Sequence, residues 1–321
     1  MVIASAYQPT GSAMPSLRQL QYLVALDDHR HFGRAAFAVH VSQPTLSQQL
    51  RTLEARLGVS LVDRSGQEVQ LTPLGREIAS RARAILVNVR DLSDLATRAS
   101  NGMGGTLRFG ITPTLGPYLM PSIVAGLHRQ QPDLRLHIRE GIPDDQVREI
   151  MRGELDMMLC PLPVDATGIV IEPLFAERLF VVAPPDHPLA GQRNIPSAAL
   201  RGEGFLTLDR RHHYHRQTRD ICEQLGAHIL HDYEGTSLDS IRQMVGSGIG
   251  LALLPERYLA AEAQGAEVVA ALHIEGWNAQ RSIAAIWRSG AAFSDGFHAI
   301  AEVIRGYVFN DPAGSVSSPG A

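Results

Sequence analysis

The 321-residue chain contains no lysine and only two cysteines, Cys160 and Cys222. Two thiols in a chain this long do not make a disulfide framework. The all-arginine basic complement reads as genome composition rather than a functional demand. No apolar run approaches the roughly 20 residues that a membrane-spanning helix needs. The opening MVIASAYQPTGSA has neither a basic start nor an apolar core segment, so it does not read as a signal peptide. The expectation is a soluble, cytoplasmic protein with no membrane attachment. Catalytic signatures are also missing: there is no Ser-His-Asp order, paired-carboxylate motif, cofactor fingerprint or HExxH. The glycine-rich GSGIG at Gly246 to Gly250 follows a helical pattern and precedes a strand, the reverse of a phosphate cradle. No enzyme, cofactor or resident metal is therefore expected.

A length of 321 residues and 45% hydrophobic content suggest two or three domains with real cores. The net charge of −4 is unevenly spread: Pro15 to Ser100 holds eleven arginines against eight acidic residues, so the excess of acid lies elsewhere. Within that basic stretch, Ser42 to Gly58 reads as a helix, with Ser42 as N-cap, Pro44 in the first turn and Gly58 as the stop. Leu46, Leu50, Leu53 and Leu57 fall on one face, to be buried. The opposite face holds Pro44, Ser47, Gln48, Arg51, Thr52 and Ala55, which are slim, uncharged or basic, and rich in donors. Such a face suits a DNA groove, where Gln reads adenine, Arg reads guanine, and Ser or Thr holds phosphate. The same pattern also describes an ordinary amphipathic surface helix; the flanking segments decide.

Upstream, LRQLQYLVALDDH and FGRAAFAVH read as two more helices, completing a helix-turn-helix core. Downstream, Leu61 to Arg64 and Val69 to Thr72 are extended runs around a Ser65-Gly66 turn, which makes the unit winged. Arg64 and Gln67 are placed to touch backbone phosphate or minor groove. The candidate DNA contacts are Arg34, Ser42, Gln43, Pro44, Thr45, Ser47, Gln48, Arg51, Arg64 and Thr72.

Pro73 then opens a helix running to about Ser100. Ile78, Ala82, Ile85, Val89, Leu92, Ala96 and Ala99 step alternately by four and three, the seam of a two-stranded coiled coil. A homodimer presenting two recognition helices to a roughly palindromic site is expected. Packing of this helix on its own domain is the alternative. The glycines of Asn101 to Gly105 mark a linker. Beyond it, strands and helices alternate in two α/β units: TLRFGITP, a helix from Gly116 to Gln131, LRLHIREG, a helix from Gln146 to Arg152 and LDMMLC; then RLFVVAPP, GFLTL, a helix from Arg216 to Leu225, HILHDYEG, a helix from Leu238 to Val245 and IGLALLP. RSIAAIWR and a helix from Asp295 to Val308 close the fold.

The run HFGRAAFAVHVSQPTLSQQLRTLEARLGVSLVDR followed by LTPLG resembles the LysR-type transcriptional regulators. RQLQYLVALDDHRHFGRAA, GITPTLGPYLMP and YEGTSLDSIRQMVGSGIGLALLP resemble their peroxide-responsive OxyR branch, and the likeness extends from Ser16 to about Tyr307. The expected organisation is a disordered extension over 1–14, an all-α winged head over 15–72, a dimerisation helix over 73–100 and a disordered tail over 309–321. The resemblance also implies a two-lobed α/β effector domain over 105–308, like periplasmic binding proteins in fold type. Four chains would assemble as a dimer of dimers, and RNA polymerase is admitted as a partner.

By topology the cleft candidates are Thr112, Pro113 and Thr114 after the first strand, and Thr236 and Ser237 before the Leu238 helix, both helix-approach loops that suit an anion or small polar ligand. Thr236 and Ser237 equally read as helix caps. The resemblance places the two loops face to face across an effector cleft. It also implies a peroxide-reactive cysteine nine residues before Cys222, but that position is His213. A carboxylate expected soon after it is Arg216, and a pocket threonine aligns with Pro143, whereas Thr114 and His212 are retained. Imidazole forms neither a sulfenic acid nor a disulfide. Cys160, ending LDMMLC, reads as buried and inert. The effector candidates are Thr112, Thr114, His212, His213, Arg216, Thr236 and Ser237, with a small organic anion as ligand. A peroxide response by a non-standard redox route and a metal or histidine-based sensor using His212, His213, His215, Cys222, His228 and His231 are the alternatives. The spacing of these imidazoles supports a metal site only weakly.

Overall fold

The computed structural model describes residues 14–64, 69–101, 105–262 and 268–310. The expected disordered ends, the wing turn with Gln67 and most of the glycine linker lie outside the described residues. The chain divides into two compact units, Met1–Leu95 and Ala96–Ala321.

In the first unit, α1 (Leu17–His29) starts from a reciprocal cap in which Ser16 Oγ accepts from the Gln19 amide and the Gln19 side chain accepts from the Ser16 amide. Helix α2 (Phe32–Ala38) is capped by His31, whose Nδ1 accepts from the Gly33 and Arg34 amides. Helix α3 (Gln43–Leu57) runs from Ser42 as N-cap to Gly58, which adopts the left-handed conformation that favours glycine. Leu46, Leu50 and Leu53 are fully buried with Leu23, Leu26, Ala35 and Leu61, as the leucine spacing predicts.

Strands β1 (Val62–Asp63) and β2 (Gln70–Leu71) pair antiparallel, Val62 opposite Leu71. The 29-residue α4 (Pro73–Asn101) follows at once. Its start is fused to the wing. The Thr72 amide donates to the Leu61 carbonyl, and a Cβ on Gly75 would stand 2.1 Å from that carbonyl oxygen, so only glycine lets the helix approach so closely. Ala79 and Ala82 are buried, and Arg83 pairs with Asp27 and Asp28 of α1. The expected seam is only partly covered: Ile78 and Val89 are half-buried, while Ile85 is 46% and Leu92 66% exposed.

The second unit comprises β3 (Gly105–Ile111), α5 (Gly116–Gln130), β4 (Leu134–Glu140), α6 (Pro143–Met151), β5 (Met157–Pro161), β6 (Ile169–Ala183), β7 (Gly204–Leu208), α7 (His213–Leu225), β8 (His228–Gly235), α8 (Leu238–Gly246), β9 (Leu251–Pro255), α9 (Glu256–Glu262), β10 (Ala270–Ala271), β11 (Gln280–Arg288) and α10 (Ser294–Asn310). The sheet order is β4-β3-β5-β11-β6-β9-β7-β8, with β10 on β6. Strands β4, β3 and β5 are mutually parallel, as are β8, β7 and β9. Antiparallel β11 and β6 join the two sets. One lobe packs Phe109, Ile111, Leu159, Trp287 and Ile304; the other packs Phe205, Leu206, Val245, Leu253 and Tyr258.

Three expectations need correction. Strand β6 begins at Ile169, well before RLFVVAPP, because Pro173, which argues against a strand in sequence, sits where the β11 pairing shifts register. Helix α6 begins at Pro143 rather than Gln146, as a first-turn proline followed by Asp144 and Asp145 allows. Helix α7 begins at His213 rather than Arg216, because His212, its N-cap, makes no side-chain capping bond and so gave no start signal. Helix α9 has no counterpart among the expected elements.

Candidate nucleic-acid interface and effector site

The outward face of α3 carries polar groups that the protein leaves uncommitted. Gln43, Pro44, Thr45, Gln48 and Arg51 are exposed and Ser47 is half-exposed. Among the described residues, Gln48 and Arg51 have no side-chain hydrogen bond or ion pair. Ser42 Oγ accepts from the Thr45 amide and lies 2.8 Å from Thr45 Oγ1, so these two hydroxyls first serve the helix start. Behind the face, Gln19 donates to Gln49 and accepts from Arg56, a polar brace between α1 and α3 that sequence spacing did not reveal.

The other candidates are held more firmly. Arg34 donates to the His29 carbonyl at 2.9 Å while remaining exposed. It borders a groove of about 770 Å³ with Arg30, His31, Gln43 and Arg76, a basic recess beside the recognition helix. Arg64 donates through both terminal nitrogens to Glu54, at 2.8 and 3.3 Å. Glu54 also accepts from the amides of Leu61 and Val62 and so ties α3 to the wing. Burial pushes the Glu54 carboxyl up, but these hydrogen bonds and the Arg64 charge outweigh it and hold it below its ordinary range. Thr72 also serves as a cap: its hydroxyl donates to the Ser60 carbonyl and accepts from the Gly75 amide.

In the effector unit, Thr112 and Thr114 are both buried, their hydroxyls 3.4 Å apart. Arg281 donates to the Thr114 hydroxyl at 3.0 Å and to its carbonyl at 2.9 Å, and its Nε donates to Glu177 at 2.8 Å. This fully buried pair shapes the Thr112 turn, and neither partner is flagged by a local motif. Tyr214 is buried near it with a hydroxyl that has no hydrogen-bond partner among the described residues. Ser237 is a cap, in a reciprocal box with Ser240, whereas Thr236 is exposed. Among the described residues no hydrogen bond joins Thr236 or Ser237 to the α7 candidates.

His213 and Arg216 do gather, around a residue that sequence reasoning missed, Asp144, whereas His212 faces the charge of Asp209. His213 Nε2 lies 2.8 Å from Asp144 Oδ1 and its Nδ1 lies 3.2 Å from the Pro161 carbonyl. Arg216 donates to Asp144 Oδ2 at 3.4 Å. Burial raises the Asp144 carboxyl, but the hydrogen bonds and charges of His213 and Arg216 prevail and hold it below its ordinary value. Burial lowers His212, against the pull of Asp209. His215 Nδ1 lies 3.0 Å from the Leu208 carbonyl. Among the described residues no three His, Cys, Asp or Glu side chains stand close enough to hold a metal. Both cysteines are free and buried, and burial pushes each thiol up to about 12. A cavity of about 610 Å³ adjoins α7, lined by His213, Arg216, Gln217, Asp220, Pro161, Trp277 and neighbours.

A winged helix-turn-helix head followed in the chain by a two-lobed α/β unit defines a DNA-binding regulator with an effector domain. Residues 17–76 match the pattern described as "Bacterial regulatory helix-turn-helix protein, lysR family", and residues 100–308 match "LysR substrate binding domain". The "DNA-binding transcriptional dual regulator OxyR" of Escherichia coli strain K12 is 36% identical over 290 residues, covering 90% of this chain and 95% of that protein. A full-length cysteine-to-aspartate variant of OxyR from Pseudomonas aeruginosa superimposes with a TM-score of 0.69 at 32% identity, covering 91% of this chain and 98% of that one. A cysteine-to-serine variant of Corynebacterium glutamicum OxyR with hydrogen peroxide bound gives 0.63 at 30% identity, covering 93% and 94%. The chain belongs to the LysR family of transcriptional regulators. Within it, the chain is an OxyR-like DNA-binding regulator with a C-terminal effector-binding domain, and its relatives are regulators rather than enzymes. No helix among the described residues is long and apolar enough to cross a membrane.

Proposed function

We propose that this chain reads a promoter or operator duplex with the outward face of α3 and that a small organic anion in the effector domain modulates that binding. The observation that carries the DNA reading is the exposed pair Gln48 and Arg51, whose side chains have no partner among the described residues, on a helix whose other face is locked into a leucine core. Gln48 and Arg51 contact base edges; Ser42, Gln43, Pro44, Thr45 and Ser47 seat the helix start against phosphate, and Arg34 adds a backbone contact. Arg64 does so only through what Glu54 leaves free.

The working division is a head over 15–72, a dimerisation helix over 73–100 and an effector domain over 105–308. The exposed Ile85, Leu92 and Leu95 of α4 support a homodimer, and two such dimers would follow the family pattern. RNA polymerase is the partner through which a promoter-bound regulator would act. An electrophoretic shift with DNA from upstream of the chain's own gene tests the reading. Binding should weaken steeply with salt, since counterions are released from every neutralised phosphate; a chain indifferent to any duplex at low salt would refute it.

The anion reading rests on the start of α7, where the His213 imidazole and the Arg216 guanidinium already hold a carboxylate. A second reading, a peroxide-responsive activator using a non-standard redox route, is favoured by relatives named "Hydrogen peroxide-inducible genes activator". Its weakness is chemical: His213 stands where the reactive thiol is expected, and buried thiols raised to about 12 are poor nucleophiles. Transcript profiling with and without the gene, in the presence and absence of peroxide, separates the two. A gene-dependent peroxide response would favour the second.

A further inference from the structure

Asp144 lies in the first turn of α6, in the lobe of β3, β4 and β5, yet both its carboxylate oxygens face α7 of the other lobe. His213 and Arg216 stand three residues apart and so share one face of α7. They grip the carboxylate at two points. The His213 ring faces an acceptor on each side, the Pro161 carbonyl at 3.2 Å and Asp144 at 2.8 Å, and the Arg216 guanidinium brings a permanent positive charge to the same carboxylate. The clamp is thus built for an anion, at the positive end of a 13-residue helix. The same two side chains line the cavity of about 610 Å³, whereas Asp144 is not in its wall. A molecule in the cavity reaches the same two side chains, and to bond them it has to take them from Asp144. This volume falls within the roughly 300 to 1,000 Å³ of small-molecule sites.

We infer that Asp144 is a tethered occupant of an anion site, and that an organic carboxylate entering the cavity takes His213 and Arg216 from it, releasing α6 of one lobe from α7 of the other. The inference rests on the organic-anion reading above and specifies its site and its switch. The ligand carries one carboxylate for the clamp, with a polar body facing Gln217 and Asn278 and a flat or apolar portion against Trp277. Binding has to overcome the internal competitor, so the apparent affinity is lowered by the fraction of chains in which Asp144 holds the clamp.

The test is calorimetric titration of the full-length protein with malonate in chloride buffer. Asp144→Ala should bind malonate at least about tenfold more tightly than the wild type, because the competing state is gone. Asp144→Asn, which keeps the side-chain shape and loses the charge, should gain in the same direction and guards against a folding defect in the alanine variant. Arg216→Gln in either background should abolish the gain. Equal affinity in the wild type and both Asp144 variants, with binding lost in Arg216→Gln, would overturn the displacement while leaving the organic-anion reading intact. A gain that persists without Arg216 would overturn the clamp. No malonate binding in any chain would overturn both, since a vacated two-point clamp must accept a small carboxylate.

Discussion

The outward face of α3 and the first turn of α7 are both rich in polar side chains, yet they treat those groups in opposite ways. On α3, the side chains of Gln48 and Arg51 make no bond among the described residues, so their hydrogen-bonding capacity is available to a partner. At α7, His213, His215 and Arg216 are bonded to carbonyls or to Asp144, and a partner has to compete for them. The first arrangement suits a surface that must meet DNA without rearranging. The second suits a site whose occupation changes the protein.

That contrast can be broken experimentally. The largest effect is expected at the buried support of the effector unit: Glu177→Ala strands the Arg281 charge and should cost about 3 to 5 kcal/mol, read as lower thermal stability of that unit with the head unaffected. Next, Arg51→Ala or Gln48→Ala should each remove about 1 to 3 kcal/mol of base discrimination, measured by competition between operator and scrambled duplex, with the melting temperature unchanged. A loss of stability as large as the loss of discrimination would erase the contrast. Leu92→Arg on α4 should lower both dimer formation in sedimentation and operator affinity, since it charges the exposed stripe.

A smaller effect is expected from pH. The folded state lowers His212, so its contribution to stability is complete above about pH 6.5, its ordinary value, and is lost as pH falls through the folded value. Denaturation midpoints of the wild type should therefore fall below pH 6.5 more than those of His212→Gln. Smallest of all, Arg64→Ala removes a partly exposed ion pair worth under about 1 kcal/mol and should weaken all duplexes alike, detected as a uniform shift in affinity.

The head was legible because its information is local. Leucines four and three apart, Ser42 and Gly58 at the ends and a free opposite face all fall within one short window, and the helix bounds follow from them. The effector unit was legible as alternating elements, but its site was not. Asp144 and His213 are 69 residues apart and Arg281 and Glu177 104 apart, and nothing beside either member announces its partner. His212 gave no capping signal, which hid the start of α7 and the placement of His213 and Arg216 on one helical face. Thr72 and Ser237 have the side chains of phosphate or ligand contacts, yet the nearest free amides claimed them as caps.

Gly75 carries a last consequence. With the backbone of α4 pressed against the Leu61 carbonyl and Thr72 bonded to both Ser60 and Gly75, no joint lies between the wing and the long helix. Torque applied along the stalk cannot dissipate before reaching the DNA-facing edge; the two move as lever and blade.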